Sequence, residues 1–104
     1  MMYRTPKDPA AFDAHYFETH VPLAQKLPGL RKYEIVQGAG ALENPEYYLM
    51  ATFHFDTADA AEGALASPQG LAAVADRRLM VADEDVVMFL VDGYECESSD
   101  FFLE

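Results

Sequence analysis

Three histidines are the residues of this chain best suited to moving protons near neutral pH: His15, His20 and His54. Free imidazole titrates at about pH 6.5 and can give or take a proton under ordinary conditions. His20 is the strongest candidate for a catalytic acid or base. It shares a helical stripe with Phe12, Tyr16, Leu23 and Leu27 and precedes Pro22 by two residues, so it should face inward. A structural role competes with this one, in which the ring hydrogen-bonds a carbonyl freed by the proline and locks the helix. His15 lies five residues before His20, about 140° away around an α-helix. Metal pairs on a helix need spacings of three or four, so these two are not expected to share an ion. His54 would join His20 only if its face of the strand, with Tyr48, Met50 and Thr52, were the inner one.

Other side chains could hold a ligand for such a histidine. Six tyrosines and no tryptophan give a phenol-rich interior. Tyr16 and Tyr33 are candidates to orient a ligand, Phe12 to pack against it, and Arg4 to hold a carbonyl or carboxylate. Buried phenols need hydrogen-bond partners, and apolar pockets with polar tips hold small aromatic or lactone-like molecules. Ordinary core packing for the tyrosines and a solvated Arg4 are the plainer alternatives. No metal site is marked, and no cofactor is expected. Gly38-Ala39-Gly40 lacks the third glycine and following helix of a dinucleotide fingerprint. There is no P-loop, no Cys-x-x-Cys and no nucleophile elbow.

The 104 residues fit one domain, and 51% are hydrophobic, enough to build a core. A formal net charge of -11 opposes binding to nucleic acid or anionic membranes. Arg77-Arg78 is too short a basic patch to change that. The longest apolar run, Val86 to Val91, is too short to span a bilayer. No signal peptide is read before the domain. The single Cys96 cannot form an internal disulfide, which fits a reducing cytoplasm, and its neighbours Glu95 and Glu97 would raise its thiol pKa.

The elements that must position these residues are legible from punctuation and period. Asp8-Pro9 and Ser67-Pro68 each place a capping side chain before a first-turn proline, and Thr57 opens a third helix. The first helix should run from about Pro9 to Leu27, its apolar residues within an arc of about 80°. Pro22 cannot donate to the Glu18 carbonyl, which predicts a kink near Thr19 to Val21. Pro28-Gly29 stops the helix. Strands are expected at Leu30 to Gln37 and Tyr47 to Phe55, separated by a loop at Gly38 to Pro45. Two helical stretches follow, Ala58 to Ala66 and Pro68 to about Met80. The final strand, Val86 to Tyr94, is apolar on both faces and reads as an interior strand. With a short first strand in Met1 to Arg4, the order is β-α-β-β-α-β. This is an α+β, ferredoxin-like arrangement with a four-stranded antiparallel sheet and helices on one face. The other face would expose more apolar surface than a monomer usually does, and a two-fold homodimer with facing sheets would cover it.

Several segments also resemble the EthD family. Asp8-Pro9-Ala10-Ala11-Phe12-Asp13-Ala14-His15-Tyr16 is similar to the start of such a domain. His20-Val21-Pro22-Leu23-Ala24 and Leu27-Pro28-Gly29-Leu30-Arg31-Lys32-Tyr33 continue it. Tyr47-Tyr48-Leu49-Met50-Ala51 and Ala64-Leu65-Ala66-Ser67-Pro68-Gln69-Gly70 complete a likeness over about Tyr3 to Gly93. The resemblance implies a dimeric α+β barrel, in a family named for ethyl tert-butyl ether degradation whose members are commonly labelled oxidoreductases. Two departures stand out. The first strand is shorter than usual, whether truncated or simply brief. The acidic tail, residues 95–104 after a domain of 1–94, carries Phe101-Phe102-Leu103 and extends beyond the usual end. From Asp83 onward there are eight acidic residues and no basic one.

The expected function is binding of, or action on, a small hydrophobic oxygenated molecule between the first helix and the sheet. His20 would move a proton in cofactor-free or oxidoreductase-type chemistry. The alternatives are a non-catalytic ligand-binding dimer and a structural module using the tail.

Overall fold

The computed structural model describes residues 1–37 and 46–92. The Gly38 to Pro45 loop, Gly93, Tyr94, Cys96 and the acidic tail lie outside the described residues. The first strand is short but present: β1 (Met2–Arg4) lies between β3 (Tyr47–His54) and β4 (Val86–Val87), with β2 (Lys32–Gln37) beyond β3. All three pairings are antiparallel. The chain therefore has the α+β fold and strand order expected of a ferredoxin-like sheet. The C-terminal strand departs from its interior reading: among the described residues β4 is an edge strand, and only Val86–Val87 of it pair. Its apolar continuation, Met88 to Val91, stays exposed.

Each expected helix start is built by its cap. The backbone N–H of Ala11 donates to Asp8 Oδ1 at 3.1 Å, that of Ala60 to Thr57 Oγ1 at 3.0 Å and that of Gly70 to Ser67 Oγ at 3.0 Å. These open α1 (Pro9–His15), α3 (Ala58–Ala66) and α4 (Pro68–Met80). Ser67 also closes α3, its hydroxyl donating to the Ala64 carbonyl. The two helices meet so closely that a Cβ on Gly70 would collide with the Ala64 and Leu65 carbonyls.

Pro22 leaves its mark on the turn before it. The helix widens into a π-turn over Tyr16–His20 before resuming as α2 (Val21–Ala24), and the Val21 N–H reaches back five residues to the Tyr16 carbonyl. Thus the interruption begins earlier than the expected Thr19 to Val21. A π-turn adds a residue to one turn, so positions five apart come round to one side. Gly29, at φ 77°, then turns the chain into β2.

One face of the sheet meets the helices. Tyr3, Leu49 and Ala51 are buried there against Phe12 and Tyr16, with Tyr33, Ile35 and Phe53 packed around them. On the opposite face, register places Val36, Met50, Met2 and Val87 side by side across all four strands. Towards one end of that face the pairs become polar, Glu34 with Thr52 and Lys32 with His54. The register shifts between Tyr3 and Arg4, so Tyr47 rather than Tyr48 lies opposite Arg4. The displaced Tyr48 donates its hydroxyl to Asp13 of α1, which also accepts a bond from Gln37.

Candidate functional site

His20 is 4% exposed and sits where the π-turn passes into α2. Its Nδ1 lies 2.9 Å from Asp76 Oδ2, on α4. The other carboxylate oxygen, Oδ1, lies 2.8 Å from His15 Nε2. The π-turn explains this convergence, because it brings two histidines five apart onto one side. An α-helical count separated them. Their shared partner is a carboxylate, and the carbonyl freed by Pro22 is not what His20 binds.

An ionised carboxylate can only accept hydrogen bonds, so each histidine donates to Asp76. His20 then carries its proton on Nδ1 and keeps the lone pair of Nε2 for other use. Burial pushes the His20 pKa below its ordinary value, although the Asp76 hydrogen bond and charge work the other way. The neighbouring His15 and Arg77 charges add to the lowering. The neutral ring, competent as a base, is the form the fold favours.

His20 lines a cavity of about 370 Å³. That volume falls in the range of small-molecule sites, about 300–1,000 Å³. Ala24 and Leu27 follow His20 along one wall, and Ala51 and Phe53 form the sheet side. Ala73 and Arg77 of α4 and the exposed Phe89 and Val91 close it further. The lining is mostly apolar, with His20, Arg77 and Glu62 as the polar residues that the helices contribute to it.

Arg77 is 7% exposed, unlike its solvated neighbour Arg78. Its Nη1 donates to the Val81 carbonyl at 3.0 Å, and its Nη2 to Asp83. Both Arg77 and Arg78 hold the Asp83 carboxyl below its usual range. The Arg77 Nε–H has no acceptor among the described residues.

The remaining candidates are placed elsewhere. The Tyr16 and Tyr33 hydroxyls bond each other at 2.6 Å, within the core and outside the cavity lining. Tyr16 still flanks the site, its ring 5.3 Å from that of His20 and stacked on Phe12 at 5.6 Å. Burial drives the Tyr16 hydroxyl well above the ordinary phenol range and raises that of Tyr33, so both stay protonated. Arg4 lies over the Tyr47 ring and beside Glu46, at the end of β1 remote from the cavity lining. His54 belongs to the sheet face opposite the helices and pairs with Glu34 at 2.6 Å, so it does not join His20. That hydrogen bond holds the Glu34 carboxyl low. Among the described residues no group of three potential ligands is placed to hold a metal ion. None of the described helices is long and apolar enough to cross a membrane.

Asp76 and Arg77 were not among the expected site residues. A signal for them exists in the sequence: they continue the stripe of Gly70 and Ala73 at helical spacing, the buried side of α4.

Residues 4–85 match the EthD domain. The chain belongs to the EthD family. An uncharacterized 11.0 kDa protein from the thcB-thcC intergenic region of Rhodococcus erythropolis is 38% identical over 81 residues, covering 73% of this chain and 75% of that one. The crystal structure of an EthD-family protein from Bacillus halodurans superposes with a TM-score of 0.70 at 34% identity. That match covers 75% of this chain and 79% of the other. The π-turn, the Pro28-Gly29 stop and the Ser67-Pro68 junction all fall inside the matched EthD span.

Proposed function

We propose that this EthD-family chain takes up a compact, apolar, oxygen-bearing molecule in the cavity between α2, α4 and the sheet. His20 passes a proton to or from it. One observation carries the reading: a buried histidine, oriented by a carboxylate on Nδ1, lines an apolar cavity of ligand size. In the forward step Nε2 takes a proton from the ligand, and Asp76 balances the charge left on the ring. A water-poor site strengthens that compensation. The lone Cys96 suits a reducing, cytoplasmic setting.

The test is exchange of the α-hydrogens of a cavity-sized ketone, 2-decalone, in deuterated water. The wild-type chain should accelerate exchange over buffer. His20→Asn, whose amide can still donate to Asp76 but cannot take up a proton, should lose the acceleration while still binding the ketone. Binding without exchange by the wild type would defeat the proton-transfer role and leave a non-catalytic binder, which the mostly apolar lining also suits. Absence of binding would defeat the whole reading.

The row of Val36, Met50, Met2 and Val87 supports a second part of the proposal, a homodimer with the two uncovered sheet faces together. A continuous apolar row across four strands is surface that association would remove from water.

A further inference from the structure

We infer that His15 is a positioning residue of the proton-transfer site: it holds Asp76 from the solvent side and so keeps the His20 proton on Nδ1. This rests on His20 being the base of the cavity, as proposed above. His15 is not part of the cavity lining, so it acts on a ligand there only through other residues. Asp76 is its one link to His20. The two carboxylate oxygens are divided between the rings, Oδ1 to His15 Nε2 at 2.8 Å and Oδ2 to His20 Nδ1 at 2.9 Å. Asp76 and His20 are buried, whereas the His15 side chain is 35% exposed. The trio therefore runs from the surface, through a buried carboxylate, to a buried ring.

A carboxylate buried this far needs its oxygens bonded, and removing one donor leaves charge that the fold does not compensate. Without His15, the bare Oδ1 of Asp76 is satisfied in one of two ways, and each spoils the base. If Asp76 stays ionised, its unshared charge favours the His20 imidazolium, and a proton occupies Nε2. If Asp76 takes up a proton from solvent, its O–H donates to Nδ1 and the ring proton moves to Nε2. Either way the lone pair that would meet a ligand is lost. His15 also carries the solvent pH into the site. The groups facing His20 are Asp76 and Arg77 of α4, and His15 and Tyr16 of its own helix. Behind them, the Tyr3 hydroxyl of β1 feels both Asp76 and Arg77, and that of Tyr33 of β2 bonds Tyr16. Arg77 stays charged, and the buried phenols, pushed upward, stay neutral. His15 is the partly exposed neighbour that gains charge as pH falls. That charge opposes a further positive charge on His20, so acid weakens the base.

Two variants of the full chain test this, by 2-decalone exchange in deuterated water and by long-range proton–nitrogen NMR of the His20 ring. His15→Phe, which cannot donate, should lose the ring form with a proton on Nδ1 and a free Nε2. It should also lose at least about tenfold of the exchange rate, because a positioned base is worth about 100-fold or more. His15→Gln puts an amide N–H in place of the ring Nε2 and cannot charge. At pH 8 it should restore both the ring form and the exchange. On acidification its His20 should take up a proton at a higher pH than the wild-type ring does, a shift that a merely structural His15 would not produce. Wild-type ring form and exchange in His15→Phe would overturn the inference and leave His20 with Asp76 as the base. So would a His15→Gln that behaves like His15→Phe, or one whose His20 midpoint stays put or falls. If the wild type binds 2-decalone without exchanging it, the proposed proton transfer fails, and the ring form in His15→Phe still decides whether His15 positions His20. Should His15→Phe fail to fold, the His20 midpoint in His15→Gln decides.

Discussion

His20 binds Asp76 in a part of the fold where water is scarce, and the balance of burial against that carboxylate governs its titration. The folded chain disfavours the charged ring, whereas the unfolded chain titrates it near its ordinary value of about 6.5. As pH falls below that value, the unfolded state binds more protons than the folded one, so stability must decline. The decline ends once pH passes the lower, folded-state value. Thermal melts between pH 7 and 5 should therefore show a falling Tm in the wild type and a shallower fall in His20→Asn. A Tm that rises on acidification would mean that Asp76 outweighs burial. At this scale the sequence revealed His20 through its place on an apolar stripe. It hid Asp76 and Arg77, because charges on a helix usually mark its solvated side and only the Gly70–Ala73 stripe said otherwise. Tyr16 and Tyr33 were recognisable as interior phenols, but nothing in their spacing foretold that they would satisfy each other.

Helix punctuation explains why α3 and α4 follow their expected spans: Thr57 and Ser67 cap through side-chain oxygens, a signal local to a few residues. The π-turn was only half legible. Pro22 announced a disruption, but a kink and a widened turn relieve the same lost hydrogen bond, and tertiary packing chooses between them. That choice placed His15 beside His20. The α3–α4 junction makes its own prediction, since Gly70 has the Ala64 and Leu65 carbonyls where a Cβ would go. Gly70→Ala should destabilise the chain by about 1–3 kcal/mol, the usual cost of overpacking. Urea unfolding would measure it, and a neutral or stabilising result would show that the junction yields easily. The final strand was the least legible element. An apolar run of this length suits a buried strand, yet Met88 to Val91 leave the ladder and turn toward the cavity.

The sheet of the whole molecule has one face sealed by helices and the other crossed by Val36, Met50, Met2 and Val87. The β-α-β-β-α-β order made the strand arrangement legible, because few topologies satisfy that sequence of elements. What packs on the face opposite the helices is not set by the pattern of one strand or helix. If a second copy covers it, Met50→Glu should convert a dimer into a folded monomer in sedimentation equilibrium. A wild type that stays monomeric throughout its soluble concentration range would contradict the pairing. On the other side of the sheet lies the proposed neutral base, His20, whose free nitrogen would meet a ligand in the cavity. Long-range proton–nitrogen NMR of the His20 ring tests it most directly. At pH 7 the expected result is a proton on Nδ1, none on Nε2, and an Nε2 resonance that moves when 2-decalone binds. A charged ring, a proton on Nε2, or an Nε2 signal unmoved at saturating ketone would contradict it.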